Sequence, residues 1–324
     1  MRVAFLIERL DARRGGMETS ATEFLTELAR LGPEICVVTQ SVSPDFLIAP
    51  VHELGVRGLT RTARYKNFTG DAENFLRREH WDIVHAVTPC VSCNLYQPRS
   101  GFTQEALNRT IAVRKNPVLR ALRRAGAALN SKQRLLLKLE HQLLSRADPP
   151  SVAALSHFMR RQLETGYSLP REKVFDVFNG VTVALPDEPE RKSVRARLRQ
   201  DFGLGENDCA ALFAGHNFRR KGLPKILEAL ARPAAKNWQL LVAGKDSPGA
   251  YQKLAQKLGV AGRVQFLGAR SDVRQLYLAA DACVLPSYYD PCSRTILEAM
   301  SLGVPCISTA FDGSSECITP GENG

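Results

Sequence analysis

The sequence lacks several features that would place it in a simple functional class. No apolar run approaches the ~20 residues that a membrane-spanning helix requires. The apolar stretch within MRVAFLIERL is too short for a signal peptide and is typical of a first strand. The 8 cysteines are scattered along 324 residues and do not form the dense pattern of a disulfide framework. These absences favour a globular protein of the reducing cytosol.

Two familiar ligand motifs are also missing. The GxGxxG fingerprint of dinucleotide sites does not occur in the chain. Cys90 and Cys93 have CxxC spacing, but no second pair and no histidines at ligand spacing follow them. A structural or incidental role for these two thiols is therefore favoured over a zinc site.

The formal net charge of +11 is concentrated in one segment. Residues 111–146 contain nine Lys or Arg residues and a single acid, Glu140. Such a patch favours an anionic partner, which could be nucleic acid, a membrane surface or a phosphorylated substrate. Few aromatic residues are interleaved with these cations and no nucleic-acid-binding module is recognisable, so nucleic acid is the least favoured of the three.

Residues 111–128 are predicted to form an amphipathic surface helix. Its apolar and basic side chains alternate along the segment: Val118, Leu119, Leu122, Arg120, Arg123 and Arg124. Weak contact with an anionic membrane surface is one interpretation of this pattern, and a solvated basic face is the other.

The first half of the chain has the pattern of a doubly wound domain. A strand at residues 2–7 leads through a loop containing Gly15 and Gly16 into a helical pattern and then into a strand at 34–39. Paired glycines allow a backbone to approach a ligand closely, although a tight turn explains them equally well. A further strand at 82–87 carries His85 towards the same sheet edge, where the imidazole is either a core residue or a catalytic one.

The second half repeats this alternation. Five strands are predicted at residues 209–214, 238–244, 263–268, 282–286 and 305–309, with helices between them. The acidic and proline-containing segment 186–190 is interpreted as a hinge. The predicted fold class is therefore α/β, with Rossmann-like domains at residues 1–185 and 186–324 that face each other across a ligand-binding cleft.

The stretch at residues 288–305 contains the best candidate for a ligand site. Asp290 precedes a helix that Ser293 can cap, and Glu298 lies about two turns inside that helix. The free N–H groups of the first turn form a phosphate site, and a carboxylate on each side suits a diphosphate with hydroxyls at both ends. A nucleotide sugar has this shape.

A basic turn, GHNFRRKG at residues 215–222, supplies the complementary charge. It follows the first strand of the second domain and directly precedes a helix. Arg219, Arg220 and Lys221 are thus positioned to neutralise a diphosphate and to stabilise it as a leaving group. A solvated turn is the alternative, but Asp290 and Glu298 are expected at the same sheet edge.

Three segments resemble a known family. They are GHNFRRKG, GARSDVRQLYLAADACVLPSYYDPCSRTILEAMSLGVP at residues 268–305, and the opening GGMETSATEFL at residues 15–25. All three are similar to retaining glycosyltransferases of family 4, which have the GT-B fold. Within that family the resemblance is greatest to the enzymes that add glucose to heptose in the lipopolysaccharide core.

The resemblance implies the roles of the site residues. Arg220 and Lys221 would hold the diphosphate of a nucleotide sugar, and Glu298 would hydrogen-bond the ribose. Backbone N–H groups of Thr295 and Ile296 would bind phosphate, and Asp290 stands where the family has a glutamate that contacts the donor sugar. Gly15 and Gly16 would close on the donor from the first domain. The leaving phosphate would itself take the acceptor proton, and the resemblance implies that no cofactor and no metal are required.

The sequence departs from the family in three places. Asp290 is one methylene shorter than the glutamate. Asn94 aligns with an aspartate of the family that assists the acceptor. Because an asparagine cannot act as a base, His85 is a candidate substitute. The sequence ends at Gly324, where the family continues, so we expect the second domain to lack its last helices. The candidate catalytic residues are therefore Asp290, Lys221, Arg220, His85 and Asn94.

The sequence thus predicts a retaining hexosyltransferase of the bacterial envelope. We expect UDP-glucose or a related donor, a glycan or glycolipid acceptor such as lipopolysaccharide core, and a cytoplasmic location at the inner face of the membrane. Two alternatives remain open: a sugar-nucleotide epimerase, and a degenerate protein that binds a nucleotide without turnover.

Overall fold

The computed structural model describes residues 1–13, 15–90, 92–114, 116–167, 169–205 and 207–324. The chain divides into two compact units, Met1–Asn179 and Gly180–Gly324. The sequence predicts a boundary at 185 and a hinge at 186–190. The structure instead places Glu188–Asp201 in a helix whose first turn is acidic and whose N-cap is Asp187, so the hinge assignment of these acids was wrong.

The first unit is a layered α/β structure. Its elements are β1 (Arg2–Leu6), α1 (Gly16–Arg30), β2 (Glu34–Thr39), β3 (Val51–Glu53), α2 (Arg61–Leu76), β4 (Ile83–Ala86), β5 (Leu95–Tyr96), α3 (Thr103–Ala112), α4 (Pro117–Leu129), α5 (Ser131–Leu144), β6 (Ser151–Ala154), α6 (His157–Gly166), a 3-10 turn (Arg171–Lys173) and β7 (Val174–Asp176). The strands pair in parallel in the order β3-β2-β1-β4-β5-β6-β7. The order reverses direction between β1 and β4, which makes that position the switch point of this sheet.

The second unit is a smaller sheet of the same kind. Its elements are α7 (Glu188–Asp201), β8 (Cys209–Ala214), α8 (Leu223–Leu230), a 3-10 turn (Pro233–Ala235), β9 (Trp238–Ala243), α9 (Gly249–Lys257), a 3-10 turn (Ala261–Arg263), β10 (Val264–Gly268), α10 (Val273–Ala279), β11 (Ala282–Val284), α11 (Arg294–Ser301), β12 (Cys306–Ile307) and a 3-10 turn (Gly313–Cys317). The parallel order is β10-β9-β8-β11-β12. The switch point therefore lies between β8 and β11.

Burial of apolar side chains explains why these segments fold as they do. Nearly every residue of β8 is buried, as expected for a central strand covered on both faces. On α8 the buried residues Leu223, Ile226, Leu227 and Leu230 follow helical spacing. The predicted α/β class and its parallel sheets are confirmed, and the core of the second unit holds β8 and β11 in fixed positions beneath the loops that leave them.

The basic segment folds as two separate helices, α4 and α5. On α4 the apolar side chains Val118, Leu119 and Leu122 are exposed together with Arg120 and Arg124, and Arg123 is half-buried. The single acid of the basic segment, Glu140, has a structural role. It is buried in α5 and accepts hydrogen bonds from the backbone N–H and hydroxyl of Thr103 at the start of α3. Across the residues that the structure describes, none of the helices combines the length and apolar character that a bilayer span requires.

Candidate active site

The basic turn at residues 215–222 leaves the carboxyl end of β8, as predicted. Asp246, which follows β9, accepts the backbone N–H groups of Asn217 (3.0 Å) and Phe218 (2.8 Å) and so fixes the path of the turn. Asn217 has a φ of 57°, a conformation that asparagine tolerates better than most residues. Phe218 is buried against Phe213, with ring centroids 5.5 Å apart. The turn is thus a rigid structure that holds its cations in place.

This turn lies directly against the segment that follows β11. A Cβ atom added to Gly222 would lie 2.1 Å from the carbonyl oxygen of Pro286, and the φ of Gly222 is +84°. The backbone N–H of Tyr288 donates to the carbonyl of Arg220 at 2.8 Å. The two loops that flank the switch point are therefore joined by backbone contacts, and only glycine fits where they cross.

Lys221, which is predicted to bind phosphate, and Asp290, which is predicted to bind the sugar, form an ion pair. The Nζ of Lys221 contacts Oδ2 of Asp290, and the two side chains are only 12% and 10% exposed. The other carboxylate oxygen of Asp290 accepts the backbone N–H of Cys292 at 3.2 Å. The Nε of Arg220 is buried and has no hydrogen-bond partner among the described residues. The structure therefore brings Arg220, Lys221 and Asp290 together.

The N-terminus of α11 completes this side of the sheet. Thr295 donates its hydroxyl to the carbonyl of Ala214, the last residue of β8, at 3.2 Å. Thr295 and Ile296 belong to the first turn, where backbone N–H groups have no acceptor within the helix. Ser293 is the N-cap residue by position, but its side chain makes no capping bond, contrary to the prediction. Its backbone N–H donates instead to Asp312 at 3.0 Å.

Glu298 lies on the same helix. It is just over one helical turn from the N-cap rather than two, since a turn contains about 3.6 residues. Its carboxylate accepts the Tyr277 hydroxyl at 3.1 Å and the Arg294 guanidinium at 3.2 Å. Burial, and next the charge of Glu298, raise the pKa of the Tyr277 hydroxyl, which remains a donor. Glu298 is thus held in one orientation while staying partly exposed.

The glycine pair of the first unit lies at the corresponding place in its own sheet. Gly15 is the N-cap of α1 and Gly16 its first residue, at the carboxyl side of β1 and beside the switch point with β4. Gly15 has an extended backbone that any residue can adopt, and its carbonyl accepts the N–H of Thr19 at 3.0 Å. The position is compatible with a ligand contact, and the role of the pair stays a prediction.

His85 is a core residue. Its ring is 3% exposed and lies between Phe5 and Phe24, with centroids 4.9 and 5.1 Å away. Burial, and next the positive charge of Arg99, lower the pKa of His85 to about 3. An imidazole that stays neutral in an apolar layer does not exchange protons with an acceptor, so the interpretation of His85 as a substitute base is wrong.

Asn94 lies away from the ligand-binding edge of the sheet. It immediately precedes β5, and its side chain accepts the N–H of Val84 (2.8 Å) and donates to the carbonyl of Asp82 (3.1 Å) at the start of β4. In a parallel sheet the amino ends of these strands lie away from the ligand-binding edge. Asn94 stabilises strand pairing there, which gives no support to a role beside the acceptor, and its alignment with the family's aspartate stays a prediction.

Replacing His85 with leucine tests its assignment to the core. Leucine suits the apolar space between the two phenyl rings, and we expect kcat of the reaction predicted from the sequence to stay within about threefold of the native value. A general base contributes about 10²- to 10⁴-fold, so its loss would be unmistakable. A drop of that size in a variant with an unchanged circular dichroism spectrum would return His85 to the catalytic residues.

The sequence did not single out Asp246 or Asp312. Asp246 organises the basic turn and Asp312 organises the start of α11, yet each acts on backbone groups distant in the chain.

Cys90 and Cys93 are buried free thiols. Within the described ranges no three His, Cys, Asp or Glu side chains are grouped to hold a metal ion.

Solved structures similar to this chain have the same two-unit architecture. The crystal structure of WaaG, a glycosyltransferase involved in lipopolysaccharide biosynthesis, matches with a TM-score of 0.77 and 24% identity over 98% of this chain and 83% of that one. HepE of Anabaena in complex with UDP-glucose matches with a TM-score of 0.71 and 19% identity over 100% of this chain and 84% of that one. The protein therefore has the GT-B class of fold.

The sequence comparisons identify the family. Residues 14–185 match Glycosyltransferase Family 4 and residues 194–324 match Glycosyl transferases group 1. The chain belongs to Glycosyltransferase Family 4.

Two relatives illustrate how far this likeness extends. The lipopolysaccharide glucosyltransferase WaaG of Escherichia coli (strain K12) is 35% identical over 145 residues, which are 42% of this chain and 39% of that enzyme. The D-inositol 3-phosphate glycosyltransferase of Corynebacterium glutamicum (strain R) is 25% identical over 340 residues, covering 96% of this chain and 79% of the relative. The first match thus spans well under half of the lipopolysaccharide enzyme's length.

Proposed function

We propose that the protein is a retaining hexosyltransferase that moves glucose from UDP-glucose to a sugar hydroxyl of a bacterial envelope glycan such as lipopolysaccharide core. The observation that carries this proposal is the buried Lys221–Asp290 pair, held at the switch point of the second sheet beside the N-terminus of α11. It joins a cation for phosphate to a carboxylate for hydroxyls, at the edge where parallel sheets bind ligands. HepE, of the same fold, binds UDP-glucose.

The donor would lie along the carboxyl ends of β8 and β11. Arg220 and Lys221 would neutralise its diphosphate, and the N–H groups of Thr295 and Ile296 would bind a phosphate oxygen. Glu298, already oriented by Tyr277, would accept the ribose hydroxyls. Asp290 would accept a hydroxyl of the sugar, and Gly15 and Gly16 stay candidate donor-binding residues.

The chemistry that this arrangement supports is departure of a stabilised diphosphate. The bond between the anomeric carbon and the phosphate oxygen breaks, and its electron pair goes to that oxygen. The acceptor hydroxyl forms the new bond on the same face, and its proton passes to the leaving phosphate. Lys221 and Arg220 stabilise the charge that develops on the phosphate, so neither a protein nucleophile nor a metal ion is needed.

A panel of donors and acceptors tests the proposal. The protein is incubated in EDTA with UDP-, GDP- and ADP-sugars, with and without deacylated lipopolysaccharide core, and nucleotide release and sugar transfer are measured. Acceptor-dependent release of UDP with retained anomeric configuration is expected. Interconversion of the donor without acceptor would show an epimerase, and binding without turnover would show a degenerate binding protein; either result overturns the proposal.

We also propose that α4 makes weak contact with an anionic membrane surface at the cytoplasmic face of the membrane. Exposed leucines beside arginines on one helix suit the boundary between lipid headgroups and acyl chains. This contact would bring the protein to a lipid-anchored, phosphorylated acceptor.

Serine replacements on α4 test the membrane contact. We expect Leu119→Ser with Leu122→Ser to lower co-flotation with phosphatidylglycerol vesicles by at least about fivefold, since two apolar side chains are lost from the interface. The matched control is Leu31→Ser with Leu47→Ser, which removes two leucines exposed elsewhere in the first unit. Equal binding by the two double variants would contradict the assignment of the contact to α4.

A further inference from the structure

Asp312 is a fully buried carboxylate that the proposed reaction has not used. It follows β12, and its residue is 0% exposed. The backbone around it is paired with that of Asp290: the N–H of Asp290 donates to Phe311 at 2.9 Å, and the N–H of Gly313 donates to Asp290 at 3.0 Å. Asp312 therefore lies in the segment that fixes the position of the sugar-facing carboxylate.

The two oxygens of this carboxylate have different surroundings. Oδ1 accepts the backbone N–H groups of Ser293 and Ser314, both at 3.0 Å, and the Ser314 hydroxyl at 2.6 Å. Oδ2 is buried without a hydrogen-bond partner among the described residues, and so is the hydroxyl of Ser293. A buried carboxylate oxygen without a donor is costly when ionised and ready to hold a proton.

We propose that Asp312 is a positioning residue of the donor site, which anchors the start of α11 and takes up a proton when a nucleotide sugar binds. The inference rests on the proposed function and deepens it. Ionised Asp312 places a negative charge directly behind the helix N-terminus that is to receive the donor phosphate. Protonated Asp312 keeps its three hydrogen bonds through Oδ1 and removes that charge.

The charges around Asp312 determine whether donor binding favours its protonated or its ionised form. Lys221 and Asp290 cancel one another, so ionised Asp312 leaves the group with one excess negative charge. Burial, and next the charge of Asp290, raise the pKa of Asp312 to about 6, while Lys221 opposes the rise. An approaching diphosphate adds negative charge and favours the protonated form further. By linkage, the proton and the donor then strengthen each other's binding.

Other titratable groups lie on the elements packed around this carboxylate. They are His216 and Arg220 on the basic turn, Arg294 and Glu298 on α11, Cys292 before it, the thiols of Cys283 and Cys306 on β11 and β12, and Glu316 and Cys317 on the following 3-10 turn. Of these, His216 has the ordinary pKa that lies closest to the range of about pH 5 to 7.5 in which Asp312 is expected to titrate. It therefore needs its own control.

The test measures UDP-glucose binding to the full chain by calorimetry between pH 5 and 7.5. UDP-glucose has no group that ionises in this range, so any pH dependence belongs to the protein. If binding raises the pKa of Asp312 by about one unit, affinity should fall about fivefold to tenfold from pH 5 to pH 7.5. In Asp312→Asn, which preserves the acceptor for Ser293 and Ser314, the affinity should be the same at both pH values.

The native protein provides a second readout that needs no variant. Binding at pH 6.5, measured in two buffers of different ionisation enthalpy, should take up about half a proton per donor for a shift of one unit. His216→Gln should retain this uptake and Asp312→Asn should lose it.

Three outcomes would overturn the inference. They are zero proton uptake by the native protein, unchanged pH dependence in Asp312→Asn, and loss of that dependence in His216→Gln. Failure to bind any nucleotide sugar at either pH would overturn the proposed function as well, so the two failures can be told apart.

Discussion

Lys221→Ala is expected to lower kcat/KM for sugar transfer by at least about 100-fold. The ammonium of Lys221 is a mostly buried cation in the proposed donor site, and removing one such group from a leaving phosphate typically costs about 10²- to 10³-fold in rate. The substitution also leaves Asp290 buried without its cation. Breaking a buried pair on one side destabilises a protein by about 3–5 kcal/mol, so the thermal midpoint should fall as well.

The loss of rate and the loss of stability can be separated. Adding Asp290→Asn to the alanine variant removes the uncompensated charge and should restore most of the thermal midpoint without restoring turnover. The matched control is Lys225→Ala, which deletes a lysine of α8 that pairs with Glu228 near the surface. It should change kcat/KM by less than about twofold. Native turnover in a folded Lys221→Ala protein would remove this residue from the site.

Much of the fold could be predicted because its strands are long and apolar. β8 and β9 each contain six residues, and the period of α8 directly identifies its buried face. The short strands β3 and β5 were missed because three and two residues carry too little pattern. α2 was missed too, since its buried residues are mixed with polar ones and include Thr69.

The site residues that are adjacent in sequence were the ones that could be predicted. Arg220 and Lys221 share one turn, and Asp290 and Glu298 share one loop and helix, so local pattern was sufficient to group them. Asp312 joins the site through a parallel bridge to Asp290, a pairing across more than twenty positions that no spacing rule reveals.

The positions of Asn94 and His85 in the first unit could not be inferred from the order of residues alone. β5 begins at Leu95, which pairs with His85 of β4, so position along the chain did not indicate which end of the strands Asn94 occupies. His85 lies on a strand near the ligand-binding edge, but alternation of side chains directs its ring into the apolar layer.

Gly222→Ala is expected to have the second large effect, through the backbone alone. A φ of +84° costs an L-residue about 1–2 kcal/mol, and a Cβ 2.1 Å from the Pro286 carbonyl oxygen cannot be accommodated without moving the chain. We expect a loss of about 3 kcal/mol in the free energy of unfolding. A displacement of the turn by about 1 Å would misplace Arg220 and Lys221 and lower kcat about 100-fold.

Gly259→Ala separates the clash from the unfavourable φ. Gly259 follows α9 with a φ of +71°, yet its added Cβ would meet nothing within 4 Å. Urea unfolding should therefore show a loss of only about 1–2 kcal/mol for Gly259→Ala, with native kcat. Equal losses in the two variants would mean that the crossing at Pro286 does not hold the basic turn. A larger loss of unfolding free energy in Gly222→Ala, accompanied by loss of turnover, would support the proposal. It would show that this backbone contact sets the distance between Arg220 and Lys221 and the loop that carries Asp290.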